Sequence, residues 1–166
     1  MIGVAAALAG LAVVAVVVFA SGNPKAPSRP TSAVSADAQL AALAQAYLAV
    51  ANPSDDQLET EENSYATAER SNLAAARADL RRQVATERLF DRQLGAIQFT
   101  PAVETVAKAL IRANQGRFAV TLRQARSTTL ARLRSLDNAR EAGDAAVEVQ
   151  AKAIRVALHL PAPSTN

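Results

Sequence analysis

The sequence predicts an all-α protein: an N-terminal membrane segment, then an up-down helical bundle built on a long antiparallel hairpin. Three observations carry this. About a quarter of the 166 residues are Ala, which has the best helix propensity and no side-chain entropy to lose. From Leu40 onward, large apolar residues recur at spacings of three and four. Gly is sparse and Pro sits at segment ends, so long stretches carry no helix breaker. This length has room for one domain, and an Ala-rich core buries little area per residue.

Ile2 to Ala20 is 19 residues without a charged or polar side chain. As a helix it spans roughly 28 Å, about one hydrocarbon core. Two readings fit residues 1–22. One is a signal peptide cut after Gly22, with Ala20 and Gly22 as the small residues before the cut. The other is an uncleaved single-pass anchor. Lys25 and Arg29 follow the span, and the positive-inside rule makes them a vote for a cytoplasmic domain. Two charges are a small bias, and the reading adopted is an extracytoplasmic domain, membrane-anchored or secreted. Residues 23–36 are a Pro/Ser-rich linker that cannot bury a core. The chain has no Cys, which removes a lipoprotein anchor site, disulfides, thiolate metal sites and Cys nucleophiles together.

The first helix is predicted over about 35–51, capped by Ser35 or Asp37. Leu40, Leu43, Tyr47 and Val50 form its stripe, and Asn52-Pro53 ends it. The second runs over about 54–97. Asp55, Asp56, Glu59, Glu61 and Glu62 lie in its first turns, where acids complement the helix dipole; a Ca²⁺ loop lacks the required spacing. Leu73, Leu80, Glu87 and Leu94 fall a strict seven apart. Gly95 to Pro101 breaks the pattern, with Thr100 as N-cap and Pro101 at the first helical position. The third helix runs over about 101–136, with Val103, Leu110, Leu122 and Leu133 on its apolar side and Gly116 as a bend. The fourth covers about 139–158, facing inward with Ala142, Ala146, Val149, Ala153 and Val156. Residues 161–166 are read as a disordered tail. Short connections make neighbours antiparallel. The two shorter helices then fold back to one end of the hairpin, and the tip at Glu87 to Pro101 projects as two helices.

Seven-residue spacing puts Glu87 on the apolar stripe, with Asp91 on the same side. A charge there needs a partner. A turn centred near Phe99 sets Asp91 opposite Lys108 and Glu87 opposite Arg112, as ion pairs fixing the hairpin register. The alternative is a ligand-binding or enzymatic site of Glu87, Arg88, Asp91 and Asn114, where crowding raises a carboxylate pKa. The full candidate polar cluster is Glu87, Arg88, Asp91, Lys108, Arg112, Asn114, Gln115 and Arg126. No cofactor or metal is expected. The one His is His159, whereas a di-iron bundle needs Glu-x-x-His on two helices. No Gly-rich phosphate loop or nucleophile motif is present, so no enzyme activity is expected. Charge is uneven: Arg77 to Arg134 carries twelve bases against four acids. Such a stripe meets an anionic lipid or envelope polymer. Nucleic acid is not expected, because aromatics are only 4%.

Three segments together resemble a group of uncharacterised actinobacterial exported helical proteins. They are Ala85 to Phe99 (ATERLFDRQLGAIQF) followed by Pro101, Asn114-Gln115 through Gln124-Ala125-Arg126-Ser127, and Asp144 to Glu148 before the LPAPST tail. The resemblance covers about Tyr47 to Thr165. It implies an exported helical domain with no assigned activity, and a polar cluster of Asn114, Gln115 and Gln124 to Ser127 facing the second helix. The sequence thus points to a membrane-tethered or secreted bundle with a structural or protein-interaction role. The polar site and the binding of an anionic component are the alternatives.

Overall fold

The computed structural model describes residues 35–161, and every regular element among them is a helix. The expected membrane span at 2–20, the cleavage point after Gly22, nearly all of the 23–36 linker and the tail from 162 onward lie outside the described residues. Among the described residues, no helix is long and apolar enough to cross a membrane.

Helix α1 is Ala36–Ala68, α2 is Leu73–Ala96, α3 is Pro101–Ala125, α4 is Leu130–Arg134 and α5 is Asp137–Ala157. Helix α1 packs on α2, α2 on α3, and α3 on α5. Cross-helix pairs fix their directions. Ser64 and Thr86 hydroxyls bridge α1 and α2, donating to Asp79 and Glu61. Between α2 and α3, Glu87 meets Arg117 and Asp91 meets Asn114. Between α3 and α5, Arg117 meets Asp144 and Gln124 meets Asp137. In each pair the numbers rise on one helix as they fall on the other. The four long helices therefore run up, down, up and down, with α4 as one short turn before the last.

Two expected boundaries move. Helix α1 runs through Pro53 instead of ending at Asn52. The Pro ring leaves the Ala49 carbonyl without its helical donor. Both residues are exposed, so water reaches that carbonyl, and Ser54 Oγ donates to the Val50 carbonyl at 2.9 Å beside it. The break falls instead at Glu69 to Asn72, where Asn72 caps α2 by accepting from the Ala75 N–H at 3.0 Å. The acids from Asp55 to Glu62 are therefore mid-helix, and the helix dipole does not account for them. The expected third helix is also divided. It continues through Gly116 but stops at Ala125, and Thr129 caps α4 by accepting from Arg132 N–H. The hydroxyls of Ser127 to Thr129 offer the backbone local partners that compete with helix. Ser35 caps α1 as expected, accepting from Ala38 N–H at 3.2 Å. Thr100 precedes α3 with Pro101 in its first turn, although its side chain makes no capping bond.

The moved breaks leave long helices of similar length, at 33, 24, 25 and 21 residues. The tip expected to project is therefore covered. Tyr47 of α1, Ile154 of α5 and Leu158 just after it join Leu94, Val103 and Leu110 in one apolar cluster there. A second cluster of Tyr65, Ala76, Leu80, Ala125 and Leu133 fills the other end.

Helix α5 is rotated from its expected orientation. Val149 and Val156 are 61% and 72% exposed, while Val147, Ala151, Ile154 and Leu158 face the bundle. Both sets fit helical spacing, and the set with the larger Ile and Leu side chains buries more apolar area. Gly143 lies on the buried side. A Cβ added there would stand 3.2 Å from Arg117 Cα, so α5 approaches the α3 backbone at this point because the side chain is missing. Gly116 has nothing within 4 Å of an added Cβ. Gly116→Ala should therefore raise stability by about 0.5–1 kcal/mol. Gly143→Ala should show none of that gain, because the helices must separate. Urea denaturation of both variants reads the difference.

Candidate functional site

Glu87 and Leu94 share one face of α2, and both are fully buried. The stripe that carries Leu80 and Leu94 carries Glu87 inward with them, as the seven-residue spacing implies. Its expected partner Arg112 is exposed, and the residue that reaches it is Arg117, one turn further along α3. Lys108 pairs instead with Glu104 on its own helix, at 2.6 Å. Asp91 accepts from Asn114 Nδ2 at 2.9 Å. The register is thus shifted by about one turn from a symmetric reversal at Phe99. Two causes act together. The Ile97–Thr100 connection is not a symmetric reversal: Ile97 is extended at ψ 128°, and Phe99 N–H closes a γ-turn on the Ile97 carbonyl at 3.0 Å. Side chains on α3 also lean toward its own N-terminus, which carries the long Arg117 back toward Glu87.

The expected cluster divides into two groups. Glu87, Asp91 and Asn114 come together. Arg88 points outward and lies over the Phe118 ring at 5.2 Å, while Lys108, Arg112, Gln115 and Arg126 are exposed. Arg117 and Arg140 are not among the residues named from the sequence, Glu62 is read there only as a dipole-complementing acid and Asp144 only as part of the resemblance, and the four complete the polar interior.

Arg117 is the hinge of this interior. Its Nη2 lies 3.2 Å from Glu87 Oε1, and its Nε lies 2.8 Å from Asp144 Oδ1. Neither contact is aligned as a hydrogen bond, so both Glu87 oxygens and Arg117 Nε have no hydrogen-bond partner. One turn away, Arg140 forms a two-pronged pair with Glu62 at 2.8 and 2.7 Å. Its guanidinium also covers the Tyr65 ring at 5.0 Å. The hydrogen bonds from Arg140 hold the Glu62 carboxyl below its ordinary range.

Glu87 is pushed the other way. Burial raises its pKa to about 7, against the pull of Arg117 and with a further push from Asp144 and Asp91. Burial also raises Asp91, opposed by the hydrogen bond from Asn114.

Next to this group, between the four long helices, is a cavity of about 110 Å³. Its apolar wall is Ala51, Leu58, Phe90, Leu110, Val147 and Ala151. Its polar wall is Tyr47, Asn114, Glu87 and Arg117. Ser54, Asp55 and Arg155 line it between α1 and α5, and the α1–α5 seam is the most loosely packed of the four. Burial raises the Tyr47 hydroxyl. Among the described residues, no group of three or more His, Asp or Glu side chains is placed to hold a metal ion. The arrangement offers a donor-rich edge from Arg117, Asn114 and Tyr47, an acceptor from Asp55, and an apolar floor, with the Glu87 oxygens closed off from the cavity itself.

No protein-family model, curated protein or solved structure matches the chain.

Glu87 sets a pH dependence. Its folded pKa lies above the ordinary 4.5, so the neutral acid favours the folded state. That stability is complete below about pH 4.5 and is lost as pH rises to about 7, by roughly 3 kcal/mol at most. The charged groups facing Glu87 are Asp91 on α2, Arg117 on α3, and Asp144 and Arg140 on α5. Glu87→Gln should match the wild type at pH 5 and exceed it at pH 8, by about 1–3 kcal/mol. Denaturant melts at the two pH values check this.

Proposed function

We propose that the protein is a small-molecule-binding helical bundle held outside the membrane by residues 2–20. The observation that carries the reading is the cavity beside Glu87. Cavities with an apolar floor, a few convergent polar groups and a perturbed carboxylate are the usual form of a ligand site. The ion pairs expected to explain Glu87 and Asp91 as purely structural charges, with Arg112 and Lys108, are absent from the described residues. Glu87 and Asp91 are met instead by Arg117 and Asn114, and both of these line the cavity as well. The size sets the ligand. An apolar cavity of about 150 Å³ takes benzene, so one of about 110 Å³ takes roughly four to five non-hydrogen atoms. Its apolar floor and polar edge fit a short chain with one polar end. The tether rests on the uncharged stretch from Ile2 to Ala20 and the Pro/Ser linker after it.

The test is a titration of the full-length chain, in maltoside detergent, with butanol, butylamine and propionate. The expected result is saturable NMR shifts confined to residues around the cavity, with the preferred head group reading the ligand's charge. Ala151→Leu should fill the space and abolish the shifts while helical circular dichroism is retained. If none of the three probes moves the wild type, or Ala151→Leu leaves the shifts intact, the reading fails. Fractionation should find the full-length chain with membranes or outside the cell, and recovery in the cytosol would remove the tether.

A further inference from the structure

The far end of the bundle, where α1 and α3 finish, carries a different chemistry. Most arginines of the bundle are committed to the fold. Arg77 donates to the Ala125 carbonyl at the end of α3, at 2.9 Å, and Arg81 reaches the same atom. Arg134 donates to the Glu69 and Arg70 carbonyls at the end of α1. Arg82, Arg117 and Arg140 meet carboxylates. Among the described residues, Arg70, Arg92 and Arg112 are exposed singly, and three further arginines are gathered together. Arg123, Arg126 and Arg132 line one open depression of about 320 Å³, together with Ser127, Thr128 and Leu136.

All three are exposed. Among the described residues, no carboxylate forms an ion pair with any of them. Arg123 and Arg126 stand at the C-terminal end of α3 and Arg132 in the last turn of α4, where each complements a helix dipole; that role accounts for one charge at each helix end and leaves their guanidinium donors free. Arg77 and Arg81, bound behind the depression, add to its positive potential. Like charges gathered on one concave surface repel one another, and an anion placed between them relieves that repulsion. The Thr128 hydroxyl is exposed at the same place. The depression shares no lining residue with the cavity beside Glu87.

We infer that Arg123, Arg126 and Arg132 form a binding site for a phosphoryl group. A guanidinium presents a planar fork of donors that meets phosphate oxygens two at a time. Three forks on a concave surface suit the several oxygens of a tetrahedral phosphoryl anion better than a single planar carboxylate. The group arrives either on a soluble molecule or on a lipid headgroup.

The test uses the full-length chain in maltoside micelles, following the arginine Nε–H signals by NMR. One arm adds inorganic phosphate, with sodium chloride at matched ionic strength as control. The other dopes the micelles with phosphatidylglycerol. The expected result is a saturable shift at Arg123, Arg126 and Arg132 that the chloride control does not give. Arg126→Gln and Arg132→Gln should each weaken it roughly tenfold or more, with unchanged circular dichroism and melting temperature. A shift with inorganic phosphate marks a soluble phosphoryl ligand, and a shift with doped micelles alone marks a headgroup. No saturable shift in either arm overturns the inference. So does an equal shift at the exposed Arg70, Arg92 and Arg112, which marks diffuse screening.

Discussion

A carboxylate in the middle of an Ala-rich bundle has to be offset by a neighbouring helix, and the placing of Glu87 makes Arg117 the contact on which the interior depends. Glu87 is sealed from water, so it is either neutral or beside a cation. Arg117 supplies the cation from α3 and reaches Asp144 on α5 with the same side chain. One guanidinium thus spans three helices. Gly143 makes this possible, because α5 comes close to Arg117 only where no Cβ intervenes.

The same contact lies in a polar waist. Apolar clusters occupy the two ends of the bundle, one around Leu94 and Leu110 and one around Tyr65 and Leu80. Between them are Glu61, Gln83, Glu87 and Thr121, all buried, and the Arg140–Glu62 pair. Polar side chains pack less completely than apolar ones when their hydrogen bonds are unmade, and here several are unmade. A cavity at the upper edge of the waist is the physical consequence. Small Ala51 and Ala151 on its walls leave the space that larger residues would fill.

Arginine does two kinds of work in this chain. Toward the interior and the helix ends it satisfies carboxylates and terminal carbonyls, which would otherwise be buried or left without donors. At the α3–α4 corner it gathers without an ion-pair partner among the described residues. The abundance of Arg over Lys is uniform along the sequence, yet its structural roles are not. Only the fold separates committed arginines from free ones.

Much of the fold class is written in local pattern. Ala content and helical spacing determine the all-α class, and the heptad Leu73, Leu80, Glu87, Leu94 by itself places Glu87 inside. The same spacing runs through Val103, Leu110, Arg117 and Gln124, and through Asp137, Asp144, Ala151 and Leu158. Read on all the helices together, it was the signal that would have found Arg117 and Asp144. Breaks were harder to read. Pro53 is tolerated because it falls on an exposed face, and the less conspicuous Ser71-Asn72 and Ser127 to Thr129 supply the real stops. Those choices set the helix lengths, and the lengths decide which ends meet. The inward face of α5, the partners of Glu87 and Asp91, the cavity and the arginine corner depend on register and rotation between helices. Tertiary packing alone decided them, because several registers satisfy the same one-helix periodicity and only the close approach at Gly143 and the fit of large side chains choose among them.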